Sequence, residues 1–351
     1  MSKWEDNVRK VIPYTPGEQP DHPDMIKLNT NENPYPPAPG VEEVRKNMSI
    51  DALRLYPAPG ADELVEAIAE YYHVKKEQVF VGVGSDDVLA MAFLTFFNSD
   101  KPVLFPDITY SFYDVWADLF RIPYRQVPLD DSFHIVKEDY FGDNGGIVFP
   151  NPNAPTGVQM PLDEVEAIAA ANPDVVVIVD EAYIDFGGQS ALPLIDQYEN
   201  LCVVQTFSKS RSMAGLRIGY AFGSEKLIRY LNDAKYSFNS YTINRPGILM
   251  GAAAIRDKAD FEETTGKIIA TREWTKKELK KLGFEFEDSA SNFIFASHRE
   301  LDAKRLFEDL RKEHIFVRYF NKPRISSHIR ITIGTDEQME KLIGFLKDYR
   351  Q

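Results

Sequence analysis

From Ala61 the apolar positions Leu64, Ile68 and Tyr71 recur at helical spacing, and the pattern then shortens to a strand at Gln78-Val79-Phe80-Val81-Gly82-Val83. The alternation continues. Strands are predicted at Lys101–Pro106, Gly146–Pro150, Asp174–Asp180 and Leu201–Thr206, with helices at Tyr113–Phe120 and Leu162–Ala171 between them. These strand segments are short continuous runs of β-branched and aromatic residues without polar alternation. They read as strands buried on both faces, hence a mostly parallel sheet covered by helices, an α/β domain. After Pro246 the texture changes. A long charged amphipathic stretch covers about Asp257–Leu282. Strands follow at Phe293–Phe295 and Ile329–Ile333, with helices at Ala303–Arg311 and Glu337–Tyr349. Without strict alternation this reads as a smaller α+β domain. Residues 1–40 carry no long period and end in Asn33-Pro34-Tyr35-Pro36-Pro37-Ala38-Pro39-Gly40, which disfavours helix and central strand alike. They read either as an arm over the body or as a disordered tail, and the apolar Val11, Ile12, Tyr14, Met25, Ile26 and Leu28 favour the arm. The expected organisation is an arm at 1–40, a large domain at 41–245 and a small domain at 246–351.

Composition narrows the classes. In 351 residues, 40 Lys and Arg stand against 54 Asp and Glu, a formal net charge of −14. Such a surface repels a phosphate backbone and argues against nucleic acid, while a local arginine cluster can still hold a small anion. The single cysteine, Cys202, excludes a disulfide framework and a Cys-based zinc site, and it reads as a core residue of its strand. The six histidines form no ligand-spaced pair, so no metal site is expected. No apolar run reaches the ~18 residues that span a bilayer, and Met1-Ser2-Lys3-Trp4-Glu5 does not open a signal peptide. The expectation is a soluble, cytoplasmic protein.

Polar chemistry gathers at the strand ends, where α/β sheets bind ligands. Asp180 ends the most hydrophobic strand. There it is either a cap or ion-pair partner, or a carboxylate that holds a cation such as a protonated pyridine nitrogen. Tyr183 follows with a hydroxyl. Directly after Leu201–Thr206 comes Phe207-Ser208-Lys209-Ser210-Arg211-Ser212-Met213-Ala214-Gly215-Leu216-Arg217. A lysine partly buried beside Arg211 and Arg217 becomes a nucleophilic amine, with Ser208 and Arg217 as phosphate donors; the alternative is a solvated basic loop. Gly82-Val83-Gly84-Ser85-Asp86 before an apolar helix reads as an anion nest or an ordinary strand–turn–helix. Tyr110 is placed to stack on a planar ring or to pack in the core. Asn151-Pro152-Asn153-Ala154-Pro155-Thr156-Gly157 is a turn offering Asn153. Together these describe a pocket for a planar, phosphorylated, cationic aromatic aldehyde, pyridoxal 5′-phosphate (PLP).

On these residues, with Ile329-Arg330-Ile331-Thr332-Ile333-Gly334, the chain resembles the fold-type-I PLP enzymes, the class I and II aminotransferases. The order of signatures is most similar to the histidinol-phosphate aminotransferase family. The resemblance implies that Lys209 holds PLP covalently and moves the proton between substrate Cα and cofactor C4′. It assigns Asp180 to the pyridine nitrogen and Tyr183 to the ring hydroxyl, with Tyr110 stacked on the ring. It gives the phosphate to Ser85, the Asp86 amide, Ser208 and Arg217. Tyr56 is similar to a tyrosine that reaches the neighbouring subunit's cofactor, which implies a homodimer. Arg330 resembles the family's carboxylate-binding arginine. Arg318 gives a second cation, Tyr14 resembles the arm residue that closes over this group, and Arg324 is a further candidate. The family pattern has an asparagine where this chain has Ala154, so either Asn153 replaces it or Tyr183 acts alone.

The implied reaction passes the amine of L-histidinol phosphate to 2-oxoglutarate, giving imidazole-acetol phosphate and glutamate, a step in histidine biosynthesis. The rival enzymes are an aromatic amino-acid aminotransferase and a PLP-dependent phospho-amino-acid decarboxylase. A non-catalytic PLP sensor would require an appended basic DNA-binding unit, and no helix-turn-helix pattern is present.

Overall fold

In the computed structural model, which describes residues 3–349, the first element to join the body is a two-residue strand, β1 (Ile26–Lys27). The opening residues Met1 and Ser2, read above for a leader, lie outside the described residues. Helix α1 (Pro39–Asn47) starts on the last proline of the cluster. The missing N–H of a proline at the first helical position removes nothing the helix needs, so a segment that looked hostile to helix is a good place to begin one.

The large sheet follows with α2 (Asp62–Tyr72), β2 (Val79–Gly82), α3 (Gly84–Phe96), β3 (Val103–Pro106), α4 (Tyr113–Phe120), β4 (Tyr124–Val127), β5 (Gly146–Pro150), α5 (Leu162–Ala171), β6 (Val177–Asp180), β7 (Leu201–Thr206) and β8 (Gly219–Phe222). The strand order is β2-β8-β7-β6-β5-β3-β4. All neighbours are parallel except β8, which runs antiparallel to both β2 and β7. The fold is thus the α/β architecture expected, with a mostly parallel sheet. Alternate residues of each strand enter different cores. Val177, Val179, Leu201 and Val203 pack on one face, whereas Ile178, Cys202 and Val204 pack on the other. Burial on both faces is why these strands read as continuous apolar runs. Cys202 is fully buried in that second core.

Helices α6 (Glu225–Phe238) and α7 (Arg245–Arg256) complete this unit. The α7 helix packs on α1 and α2, with Gly251 against Leu64, so the packing of the large unit continues to Arg256. The long α8 (Lys258–Lys281) leads into the small unit, formed by β9 (Phe284–Glu285), β10 (Phe293–His298), α9 (Ala303–Lys312), β11 (Ile315–Phe316), β12 (Arg318–Tyr319), β13 (His328–Thr332) and α10 (Asp336–Asp348). Its four-stranded antiparallel sheet has the order β12-β13-β10-β9, and a third core joins it to α8, α9 and α10. Strand β1 pairs in parallel with β11. Residues 26–27 therefore belong to the sheet structure of the small unit, and the chain from there crosses to the large one. Among the described residues no helix is long and apolar enough to cross a membrane, and no cluster of His, Cys, Asp or Glu is arranged to hold a metal.

Candidate active site

Because β2, β3, β5, β6 and β7 are mutually parallel, their carboxyl ends share one edge of the sheet, and the residues that follow them converge there. Two adjoining cavities of about 160 and 170 Å³ result. Thr30, Tyr110, Ala154, Tyr183 and Lys209 line both, so Lys209 stands between two compartments. A larger cleft of about 600 Å³ lies at the opposite end of the sheet, around Gly145, Val176 and Asn200, away from this chemistry.

The inner compartment is lined by Ser85, Asp86, Asp180, Ser208 and Arg217. Helix α3 starts at its wall, and no side chain caps its first amides. Gly84 has φ +84°, and a Cβ there would lie 2.4 Å from Arg217 Nη2. Glycine is required so that the guanidinium can lie against the backbone. Arg217, itself at φ +55°, donates to Asp86 Oδ2 (3.0 Å), and Tyr110 O–H donates to Asp86 Oδ1 (2.6 Å). The Asp86 carboxylate thereby aims the guanidinium while its amide stays at the helix start. Ser208 is held by Thr206, whose hydroxyl donates to Ser208 Oγ at 3.0 Å. Amides at a helix N-terminus, a hydroxyl and a guanidinium form a site suited to a phosphate.

Asp180 lies buried at the floor. It accepts from Tyr113 O–H (2.9 Å) and from the Ala182 amide (3.2 Å), and among the described residues no cation forms an ion pair with it. Burial pushes its carboxyl up to about 6 against these two donors. Such a carboxylate would gain strongly from a cation seated above it. Glu181, next in sequence, serves another purpose: it is buried beneath the sheet and accepts from Ser190, the Ala191 amide and Gln205. Burial pushes it up to about 7.

Lys209 donates to the Thr30 carbonyl at 3.1 Å, with its amine 5.6 Å from the Tyr183 ring centre. Arg211, expected to crowd this amine, points away. Two residues further along a tight turn, its guanidinium sits 4.1 Å from the Phe261 ring and 4.7 Å from that of Tyr71, and donates to the Ala254 carbonyl. The cavity instead places the carboxylates of Glu32 and Asp180 around the lysine. Burial works against Glu32, but bonds from Lys27 and Thr30 hold it below the usual range.

To the wall shared with the inner one, the outer compartment adds residues of the arm and the small unit. Arg318 and Arg330 are direct cross-strand partners in the β12–β13 pair, which puts both side chains on one face. Like charges directly opposite one another repel. Among the described residues neither forms an ion pair with a carboxylate. Arg330 is half-buried and donates to the Asn29 carbonyl (2.9 Å), while its Nε has no partner among the described residues. Burial, reinforced by the Arg318 charge, weakens its hold on its proton. Phe293 and Phe320 lie under the Arg330 guanidinium at 5.2 and 5.6 Å. Tyr14 lines the same space and stacks on Phe112 at 4.1 Å. Arg324 is elsewhere: it clamps Asp107 and the Leu129 and Asp130 carbonyls, tying the two units together.

Two sequence candidates are not brought into these cavities. The Asn153 amide is fully occupied, donating to Thr156 Oγ1 in its own turn and to the Ile108 carbonyl after β3, and accepting from Thr109, so it does not line the space that Ala154 opens. The Tyr56 ring is 80% exposed and contacts Tyr241 at 4.7 Å, beside exposed Ile50, Leu53 and Leu55. Conversely, Thr30, Asn31, Glu32 and Tyr113 belong to the site and were not singled out from sequence. The signal was the polar run Asn29-Thr30-Asn31-Glu32-Asn33 after an apolar one, too unusual for a simple connector.

Comparison with known proteins identifies the family and the fold. The model of the aminotransferase class I and II family matches residues 23–346. A histidinol-phosphate aminotransferase of Lactococcus lactis subsp. cremoris (strain MG1363) is 53% identical over 346 residues, covering 99% of this chain and 97% of the relative. One from Clostridium beijerinckii is 51% identical over 348 residues, covering 99% and 97%. Among solved structures, the histidinol-phosphate aminotransferase of Clostridium acetobutylicum superposes with a TM-score of 0.84 at 22% identity, covering 92% of this chain and 98% of that one. That of Sinorhizobium meliloti, in complex with pyridoxal 5′-phosphate, superposes at 0.82 with 24% identity, covering 92% and 89%. At those identities the structures establish a common fold.

Proposed function

We propose, for a chain that belongs to the class I and II aminotransferases, that it is a PLP-dependent transaminase acting on L-histidinol phosphate and 2-oxoglutarate, with imidazole-acetol phosphate and L-glutamate as products. The residues at the sheet edge fit the cofactor. The inner compartment offers phosphate donors at one end and, at the floor, a buried carboxylate without a cation. The observation that carries the substrate reading is the unneutralised pair Arg318 and Arg330, opposite in register, across Lys209 from the phosphate donors. An amine between two anion sites suits a cofactor phosphate on one side and a substrate anion on the other. Two guanidiniums match a phosphate dianion, and either of them a carboxylate of 2-oxoglutarate.

When bound, PLP supplies an electron sink for the carbon that loses its proton. The amides of Ser85 and Asp86, with Ser208 and Arg217, would hold its phosphate. Asp180, itself oriented by Tyr113 and the Ala182 amide, would keep the ring nitrogen protonated. Tyr183 would donate to the ring hydroxyl and Tyr110 would stack on the ring. Lys209 would anchor the cofactor, and its amine would be the base that moves the proton at the substrate Cα. Tyr14 and the aromatic bed under Arg330 exclude water from the substrate end. Asn153 takes no part in holding the cofactor.

The working form is a homodimer in which Tyr56 serves the partner's site. A largely exposed tyrosine among exposed Ile50, Leu53 and Leu55, outside this chain's own cavities, supports that arrangement. One buried cysteine suits a reducing compartment, and the cytoplasm is the proposed location. Glutamate release from L-histidinol phosphate and 2-oxoglutarate tests the reading. Efficient turnover, with phenylalanine and tyrosine at least tenfold poorer in kcat/KM, supports it. Preference for the aromatic amino acids, or release of carbon dioxide without a keto-acid, overturns the substrate assignment.

A further inference from the structure

We infer that Asn31 is a positioning residue that sets the direction in which the Tyr183 hydroxyl donates, committing its proton to the cavity. The inference rests on the proposed reading, in which that proton meets the cofactor's ring hydroxyl.

A tyrosine hydroxyl has one proton and two lone pairs, and a buried one turns toward whichever neighbour accepts. Among the described residues, the side chain hydrogen-bonded to the Tyr183 hydroxyl is that of Asn31, whose Nδ2 lies 2.9 Å from the oxygen. An amide NH2 only donates. With that lone pair engaged, Tyr183 keeps its proton for the cavity that it lines with Lys209.

The amide's orientation is itself fixed. The Asn31 backbone N–H donates to Thr332 Oγ1 at 3.1 Å, and the Thr332 hydroxyl donates back to Asn31 Oδ1 at 2.9 Å. Reversing the amide would leave the buried Thr332 proton without an acceptor, which carries a desolvation cost. The direction therefore runs from Thr332 through Asn31 and Tyr183 into the site. The backbone anchors are equally tight: Asn292 Nδ2 donates to the Asn31 carbonyl at 3.0 Å, and the Thr332 amide donates to Leu28 at 3.0 Å. Asn31 is buried at φ +58°, a conformation that asparagine, aspartate and glycine accept and bulkier residues resist.

Among the described residues no other side chain is hydrogen-bonded to Tyr183. Ala154 brings no polar side-chain atom to this wall, and the Asn153 amide is occupied by Ile108, Thr109 and Thr156.

The positive φ makes the test clean, since Asn31→Gly removes the amide and Asn31→Asp keeps its shape while inverting its chemistry. A carboxylate there accepts from Tyr183 and draws the proton out of the cavity. The readout is the pH midpoint of the absorbance change of the Lys209-bound cofactor, followed in the PLP-loaded protein alongside its melting temperature. A donor to the ring oxygen stabilises the deprotonated form, so losing it raises the midpoint. The expected order is Asn31→Asp above Asn31→Gly above wild type, with Asn31→Asp displaced by about one unit. In a Tyr183→Phe background Asn31→Gly adds nothing further. A folded Asn31→Gly with the wild-type midpoint, or one whose shift persists in Tyr183→Phe, overturns the inference. A wild type with no cofactor band at all overturns the functional reading beneath it.

Discussion

Replacing Asp180 with asparagine should stabilise the cofactor-free protein while weakening its hold on PLP. In the cofactor-free fold the carboxyl is buried, receives two hydrogen bonds and has no cationic partner, and burial moves it from 3.8 to about 6. The folded state thus binds this proton more tightly than the unfolded chain does. Its contribution to stability is complete below the unfolded value of 3.8 and is lost as pH rises through about 6. A rise of roughly two units at ~1.4 kcal/mol per unit makes the ionised carboxylate a liability of up to ~3 kcal/mol at pH 8. Asparagine keeps the volume and an oxygen for the Ala182 amide, and its NH2 can donate to the Tyr113 oxygen, so the ionic liability disappears without a cavity, offset in part by the Tyr113 proton's loss of its acceptor. Urea denaturation of the two cofactor-free proteins at pH 8 should favour Asp180→Asn by ~1–2 kcal/mol, with the gap closing toward pH 4. Glu181, pushed up to about 7, titrates in both proteins alike and cancels from the difference. Adding PLP should reverse the order, because only the carboxylate can hold a ring nitrogen's proton. An Asp180→Asn protein less stable than wild type at pH 8, or a gap independent of pH, would refute the reasoning.

Gly219→Ala would bring a Cβ to 2.2 Å from the Gly84 carbonyl carbon and 2.3 Å from the Ser85 nitrogen, displacing the start of α3. Melting with and without PLP should show a loss of ~1–3 kcal/mol and a much smaller stabilisation by the cofactor. Arg330→Met should raise KM for both substrates on the order of a hundredfold, and Arg318→Met should affect the phosphorylated substrate more than 2-oxoglutarate; equal, small effects would place the substrate anion elsewhere. Mixing Lys209→Ala with Tyr56→Ala, each inactive or nearly so, should restore activity, since one hybrid site then has both residues. No recovery would mean that Tyr56 acts within its own chain or not at all.

Strong local signals carried much of this fold into view. The strands β5, β6 and β7 are apolar runs closed by proline or a polar residue, and burial on both faces admits few other readings. That put Asp180 and Lys209 at one edge. What escaped has a common cause in long-range pairing. The strand β8 has four residues and no period of its own, and only β2 and β7 on either side define it. The bond of Asn31 to Thr332 joins positions 301 apart. The aromatic box of Arg211 combines α2, α8 and the loop after β7, so nothing near Arg211 in sequence reveals which way it turns. Asn153 follows the same rule, because its partners Ile108 and Thr109 lie on a neighbouring strand end. The arginine pair was readable as two cations on one small unit, but their facing positions depend on the β12–β13 register.

The central claim is that one lysine between two anion sites carries an amino group from a phosphorylated amine to a keto-acid. The most direct measurement is an absorbance titration of the PLP-loaded protein with L-histidinol phosphate in the absence of any keto-acid. The account predicts conversion of the Lys209-bound cofactor band to that of the pyridoxamine form, stoichiometric with sites and reversed by 2-oxoglutarate. A band that persists with histidinol phosphate but converts with phenylalanine or tyrosine contradicts the substrate, and a protein that forms no such band contradicts the role of Lys209.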